Sequence, residues 1–182
     1  MTSSAAAIAK GSTMIDVLAA PGPFPDYEGK LMLFGRLVGS WDVVDTFYNR
    51  DGTVRVQRRG EWHFGWVLEG RAIQDVILAP PLAERAETGA PAHEYGTTVR
   101  AYDPKVDAWR VTFVAPVSGA TVNLLARAVG DEIWLEGRSP ADKPIRWVFS
   151  EITDESFRWR GHESSDDGTW FMEEEIVGRR RS

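Results

Sequence analysis

From Ser40 to the C-terminus, apolar and polar residues alternate with a period of two, as in β-strands that bury one face. Turn sequences such as "RDGT", "LEGR" and "SDDGT" interrupt the alternation, and each is typical of a hairpin. The predicted strands cover residues 41–48, 54–68, 71–79, 94–102, 108–115, 121–128, 132–138, 145–152, 157–164 and 169–177. No long crossover connection separates them, which favours a meandering barrel over a sandwich. The sequence therefore predicts an all-β fold, a single antiparallel up-and-down β-barrel of about ten strands.

Residues 1–26 precede the strands and differ from them in composition. Residues 1–13 are small and polar, and the next segment, "MIDVLAAPGPFPDYEG", combines apolar side chains with three prolines. This composition predicts a flexible N-terminal arm that lies across the barrel mouth as a lid, or else a simple linker. Apolar residues at helical spacing follow Asp26, a candidate N-cap, and predict one short helix. We assign residues 27–182 to the barrel domain.

The first hairpin turn determines which side chains of the first two strands point inward, because turn length fixes strand register. With Asp51-Gly52 as a two-residue turn, Trp41 pairs with Trp62 and Asp45 with Arg58. The face that carries these four residues is the more apolar one, so we expect it to point inward.

The second turn, Glu69-Gly70, extends the same reasoning to the third strand. It places Arg71 and Asp75 on the inward face and His63 on the outer face. The aromatic residues that share the inward face are Trp62, Phe64 and Trp66. A one-residue bulge after the turn would reverse the third strand and place Gln74 inside.

Later strands give a less complete assignment. The pattern places Tyr95 on the same inward face as Trp109 and Phe113. The last two hairpins leave two alternatives for the inward set, either Trp147, Phe149, Arg158, Arg160 and His162 or Val148, Phe157, Trp159 and Glu163. The outer face carries apolar residues such as Val76 and Val114, which indicates a homodimer interface or a covering segment.

Composition excludes several classes of function. A net charge of −6 and an isoelectric point near 5.1 argue against a nucleic-acid partner, which needs a basic patch. No apolar stretch approaches the ~20 residues of a membrane span, and the N-terminus lacks a signal-peptide pattern, so we expect no membrane partner and a cytoplasmic protein. The absence of cysteine excludes disulfides, and no histidine has metal-ligand spacing, so we expect no metal and no cofactor. Eight tryptophans indicate a wide aromatic cavity or a tryptophan-rich core.

The segment "LVGSWDVV" at residues 38–44 places Gly39-x-Trp41 at the entry to the first strand. This resembles the signature of calycins, which comprise lipocalins, fatty-acid-binding proteins and nitrobindins. The resemblance implies that Trp41 closes the barrel base and that a late basic residue, Arg179 or Arg180, packs over it. The segments "WHFGWVLEGRAIQD" and "YGTTVRAYDP" also resemble an uncharacterised bacterial family of calycin-like proteins, which implies no particular activity. The absence of a disulfide and of a secretion signal departs from typical lipocalins.

Asp75, Arg71 and Tyr95 are the candidate catalytic residues. A carboxylate among aromatic rings is desolvated, which raises its pKa and suits Asp75 to general acid or base chemistry. Arg71 could hold a substrate carboxylate or enolate, and Tyr95 could donate a hydrogen bond to a ligand carbonyl. The alternative is that the inward charges form internal salt bridges. The candidate ligand-binding residues are Trp62, Phe64, Trp66, Trp109, Phe113, Trp147, Asp45, Arg58 and His162.

Three functions are compatible with this pattern. The first is a barrel that binds a hydrophobic or aromatic small molecule and acts on it as a cofactor-free cyclase, isomerase or lyase, as the resemblance to lipocalin-like enzymes implies. The second is a carrier of a hydrophobic ligand without catalysis. The third is a nitrobindin-like haem protein, which requires an inward histidine such as His162.

Overall fold

The computed structural model describes residues 11–181, which form ten strands and three short α-helices. The strands are β1 (Gly39–Tyr48), β2 (Val54–Val67), β3 (Ala72–Ala79), β4 (Glu94–Asp103), β5 (Ala108–Ala115), β6 (Ala120–Val129), β7 (Glu132–Arg138), β8 (Pro144–Ser150), β9 (Ser156–Ser164) and β10 (Trp170–Arg180). The helices are α1 (Met14–Leu18), α2 (Glu28–Gly35) and α3 (Leu82–Thr88), and a 3-10 turn spans Pro25–Tyr27. Within residues 11–181, no helix has the length and hydropathy needed to cross a membrane.

The strands form a closed antiparallel barrel, in which each strand pairs with its neighbours in the chain. The first and last strands close the barrel, through pairs that run from Trp41–Arg180 to Phe47–Glu174. The predicted all-β, up-and-down barrel is therefore confirmed, with ten strands and a short helix, α2, before β1.

The register predicted for the first three strands is confirmed. Trp41 lies opposite Trp62, and Asp45 lies opposite Arg58. Across the next hairpin, Phe64 lies opposite Asp75, whose side chain is buried inside the barrel. The alternative register, with Gln74 inside, does not occur.

Strand β4 has the opposite facing to the one predicted. Thr98 pairs with Phe113 and Arg100 with Val111, so the even-numbered residues of β4 point inward. Tyr95 points outward and is 43% exposed. The loop between Asp103 and Ala108 contains four residues. A loop with an even number of residues places even-numbered residues of β4 opposite odd-numbered residues of β5, so these share one face of the sheet. The β3–β4 connection could not correct the error, because it contains α3 and is not a tight hairpin.

Neither alternative for the last hairpins is correct as a whole. Phe149 lies opposite Trp159 and Trp147 opposite Gly161, so odd-numbered residues point inward on both strands. The inward set therefore combines the β8 residues of the first alternative with Phe157 and Trp159 of the second.

Helix α2 closes one end of the barrel, called the closed end below. Phe34 is fully buried there and packs against the ring of Trp109 at a centroid distance of 5.0 Å. The indole Nε1 of Trp41 donates to the carbonyl of Leu37 at 2.8 Å. Arg180 lies over the Trp41 ring at 4.0 Å and donates to the carbonyl of Val38 at 2.9 Å. Arg180 is therefore the residue that packs over Trp41.

The N-terminal arm packs on the closed end. The amide of Ala20 donates to the carbonyl of Trp66 at 2.9 Å, and that of Phe24 donates to the carbonyl of Gly70 at 3.0 Å. Gly70 has a φ of +82°, and a side chain there would collide with the backbone of residues 22–24. These contacts hold residues 20–24 of the arm at the closed end of the barrel, and a role of the arm as a lid stays a prediction. Its flexibility stays a prediction, and residues 1–10 lie outside the described part of the chain.

Candidate ligand-binding site

The barrel interior contains a cavity of about 110 Å³. Its walls are mainly aromatic, and Trp147 packs against Trp159 at a centroid distance of 5.5 Å and against Phe113 at 5.7 Å. The lining residues are Phe47, Trp62, Ile77, Glu94, Thr98, Arg100, Phe113, Trp147, Trp159, Glu174 and Ile176. Because a dry cavity of roughly 150 Å³ accommodates benzene, a space of this size suits a single small ring or a few waters.

Arg100 forms the polar base of the cavity. Its side chain is only 2% exposed, and Nη1 donates to the Oδ2 oxygen of the equally buried Asp75. The guanidinium lies 5.2 Å from the ring centroid of Phe34 and 5.4 Å from that of Phe64. Burial lowers the pKa of Arg100 to about 9, so the group is still protonated at neutral pH. A fixed positive charge therefore lies in an apolar environment at the bottom of the cavity.

Two donors on the cavity wall have no acceptor among residues 11–181. These are Nε of Arg100 and the indole Nε1 of Trp62, both inaccessible to solvent. A buried donor without an acceptor loses about 1–3 kcal/mol relative to a paired one, and native structures contain few of them. The wall of the cavity thus presents unused hydrogen-bond donors beside aromatic surface.

Three carboxyl groups occupy the other end of the cavity, called the mouth below. Glu174 on β10 and Glu94 on β4 line it, and Asp45 on β1 is in hydrogen-bonding contact with Glu174. Burial raises the pKa of Asp45 to about 7, and burial together with the charge of Asp45 raises that of Glu174 well above its ordinary value. Burial also raises the pKa of Glu94. Asp45 can therefore gain or lose a proton near neutral pH, in contact with a second carboxyl, Glu174, whose pKa is also raised.

The candidate catalytic residues do not come together. Asp75 lies inside as predicted, but its partner is Arg100 and not Arg71. Arg71 is wrongly placed by the sequence pattern: its side chain is 48% exposed, pairs with Glu69 and stacks on Phe24 at 3.7 Å. The reason is that Arg71 belongs to the β2–β3 turn and precedes β3. Tyr95 is likewise on the outer surface, because β4 has the opposite facing.

The candidate ligand-binding residues divide into three groups. Those that line the cavity are Trp62, Phe113 and Trp147. Those buried in the core outside the cavity lining are Phe64, Trp66 and Trp109. Asp45 and Arg58 are near the mouth, where the guanidinium of Arg58 lies 5.4 Å from the Phe47 ring centroid. His162 lies in an outer groove with Arg146 and Trp170, so its predicted inward position is wrong.

Sequence reasoning missed Arg100, Thr98, Glu94 and Glu174, and it left the inward position of Trp159 as one of two alternatives. The first two would have followed from counting four loop residues in "PKVD" at 104–107, which reverses the facing of β4. The "EEE" segment at 173–175 could be assigned one or two internal members but not which ones. The irregular pairing between Met172 and Glu174 decides this, since it shifts the register at that point.

Comparison with known proteins supports the fold. Rv2717c from M. tuberculosis is 14% identical, with a TM-score of 0.59 over 84% of this chain and 98% of that one. The S-type phycobiliprotein lyase CPES from Guillardia theta is 11% identical, with a TM-score of 0.55 over 83% of this chain and 92% of that one. No family model matches the sequence, and no curated protein does. At these identities the similarity establishes a shared barrel fold and nothing about the ligand.

Proposed function

We propose that this chain binds a small aromatic or apolar molecule in the barrel cavity, with a hydrogen-bond acceptor of the ligand directed at Arg100 and Trp62. The observation that carries this proposal is the pair of buried donors without acceptors on an aromatic wall. A ligand acceptor would satisfy donors that the protein leaves unpaired, while the rings bury its apolar surface. The Trp41–Arg180 contact supports assignment to the calycin-like barrels, and we retain the cytoplasmic location inferred from sequence.

A specific observation favours catalysis as a second candidate function. The Asp45–Glu174 carboxyl pair adjoins the cavity, and burial raises the pKa of both groups, that of Asp45 to about 7, which suits proton transfer to or from a bound substrate. A cofactor-free cyclase, isomerase or lyase would then use Glu174 as acid or base and Arg100 to stabilise developing negative charge. The lyase among the structural neighbours supports this candidate by analogy alone. If the bound molecule is not converted, the protein is a carrier of a hydrophobic ligand.

Haem binding does not fit the site. A haem inside the barrel needs an axial ligand on the inner wall, and His162 lies in an outer groove. His63 also points outward, where Nδ1 contacts Ser40 at 2.9 Å and Nε2 contacts Glu61 at 2.8 Å. The positions of these histidines therefore do not support the nitrobindin-like alternative.

Benzyl alcohol tests the proposed function, because it combines one ring with one hydroxyl. We expect it to quench tryptophan fluorescence saturably. At ten times Kd it should raise the free energy of unfolding by about 1.4 kcal/mol, and the melting temperature should rise accordingly. Thr98→Leu narrows the cavity and replaces a lining hydroxyl by an apolar group, so it should weaken both effects. Val99→Leu is the matched control, because this substitution also adds one side-chain heavy atom, but on the outer face of the same strand. Failure of benzyl alcohol to bind the wild-type protein, or equal binding to both variants, would contradict the proposal.

A further inference from the structure

We propose that the mouth of the cavity is a binding site for an organic cation, so that the ligand is a small aromatic amine whose protonated nitrogen contacts Glu174, Glu94 and Asp45. This inference rests on the proposed function, since it specifies the class of molecule that the cavity accepts. It depends on the carboxyls at the mouth, whereas the proposed function depends on the donors of Arg100 and Trp62.

The first argument is the charge balance at the mouth. The titratable groups that face it are Asp45 from β1, Arg58 from β2, Glu94 from β4, and Glu173 and Glu174 from β10. Arg58 is a half-buried guanidinium that attracts both Asp45 and Glu94, and Arg55 partly offsets Glu173. Deeper in the barrel, Asp75 and Arg100 neutralise one another. The interior carboxyls of Asp45, Glu94 and Glu174 thus outnumber the facing cation, which leaves room for a positively charged ligand.

The second argument is an unused acceptor. Asp45 is only 4% exposed, and apart from its contact with Glu174 no donor in residues 11–181 reaches its Oδ1 oxygen. A buried carboxylate oxygen without a donor is costly, because it has lost its water and gained nothing. A protonated amine at the mouth would supply up to three N–H donors to these oxygens.

The third argument is the composition of the walls. The rings of Trp62, Trp147 and Trp159 stand around the same space, and indole faces attract cations more strongly than other side chains do. A metal ion fits less well, because no group of three histidine, aspartate or glutamate side chains in the described part of the chain is arranged to hold one. Aromatic walls with carboxyls at one end suit an organic cation.

A cation site at the mouth predicts that ligand affinity depends on pH. Because burial raises the pKa of Asp45 to about 7 and raises that of Glu174 well above its ordinary value, the empty mouth binds protons more readily than ordinary carboxyls do. A bound amine lowers those pKa values and displaces protons. Its affinity should therefore rise as the pH rises through about 7, while the affinity of a neutral ligand should change little.

The test compares benzylamine with benzyl alcohol by isothermal titration calorimetry at pH 6 and pH 8. The two share one ring but differ in charge, and only the hydroxyl can accept a hydrogen bond from Arg100 or Trp62. We expect benzylamine to bind about tenfold more tightly than benzyl alcohol at pH 8 and to lose this preference at pH 6. Titrations in buffers with different ionisation enthalpies should show proton release for benzylamine alone. If benzyl alcohol binds and benzylamine binds no more tightly, the inference is overturned and the proposed function stands. If neither binds, both fail.

Variants assign the effect to the mouth. Glu174→Gln should reduce the preference for benzylamine over benzyl alcohol to about twofold or less. Glu94→Gln provides a second variant at a half-buried position, in case the first does not fold. Glu175→Gln is the matched control, because Glu175 is the next residue of β10 and accepts from Arg158 at 2.7 Å on the outer face. Full retention of the preference in both Glu174→Gln and Glu94→Gln would refute the inference.

Discussion

Replacing Asp75 with asparagine should destabilise the protein severely, because it removes one charge from a buried pair and retains the shape. The side chains of Asp75 and Arg100 are 0% and 2% exposed, so water cannot compensate the guanidinium that remains. Breaking a buried ion pair in this way costs about 3–5 kcal/mol. For a domain of this length, that corresponds to a fall in Tm of roughly 6–20 °C.

A matched set of variants separates the lost charge from other effects of substitution. The double variant Asp75→Leu/Arg100→Met removes both charges and should recover most of the stability, since replacing a buried pair by apolar residues is often neutral or better. Asp103→Asn is the surface control, because its partner Arg110 is 66% exposed and solvent screens the pair, so this change should affect stability far less.

Urea denaturation followed by tryptophan fluorescence measures the free energy of unfolding of each variant, with circular dichroism as a second observable. We expect Asp75→Asn to fall several kcal/mol below Asp103→Asn, and the double variant to lie closer to wild type. A loss for Asp75→Asn no larger than that of the surface control would show that the buried charge pair does not stabilise the barrel.

Four further predictions follow from the fold and the site. Arg180→Gln should cost about 1–3 kcal/mol in urea denaturation, because it removes hydrogen bonds to buried carbonyls at the closed end, whereas the exposed neighbour Arg179→Gln should cost almost nothing. Burial raises the folded-state pKa of Asp45 from 3.8 to about 7. The stability that protonated Asp45 contributes is therefore complete below pH 3.8 and is lost as the pH rises through 7, and Asp45→Asn should make the melting temperature depend less on pH over this range in a series of thermal melts. Truncation before Pro25 should leave benzyl alcohol affinity unchanged, because the arm lies at the closed end, and a faster exchange rate in stopped-flow fluorescence would instead support a lid. If the apolar outer face forms a homodimer, Val114→Glu should yield monomers in analytical ultracentrifugation, and a monomeric wild type would contradict the expectation.

The sequence predicted the strands and their register wherever the number of residues in a tight turn was evident. Period-two alternation predicted the ten strands, and the Asp51-Gly52 and Glu69-Gly70 turns predicted the position of Asp75. Each of these inferences depends on local backbone geometry, which neighbouring residues determine.

The site itself could be predicted only in part, because it depends on features that local patterns do not determine. Arg100 was missed because a single unit of loop length reverses an entire strand, and Glu174 because an irregularity in β10 shifts its register. Arg71, four residues before Asp75, was expected beside it, whereas the true partner, Arg100, is 25 residues away on the adjacent strand β4. Long-range pairing of charges requires the whole barrel.

The closure of β1 against β10 has a consequence for how the molecule folds. Nine of the ten strand pairings join consecutive strands and can form as local hairpins, but the tenth joins residues separated by about 140 positions. Closing so long a loop has a large entropic cost before its contacts form, so we expect closure to be the late, slow step of folding. Because Glu174 and Ile176 lie on β10, the cavity is incomplete until that step. During synthesis, the nascent chain would carry most of a binding pocket and gain its function only when the final strand reaches the first.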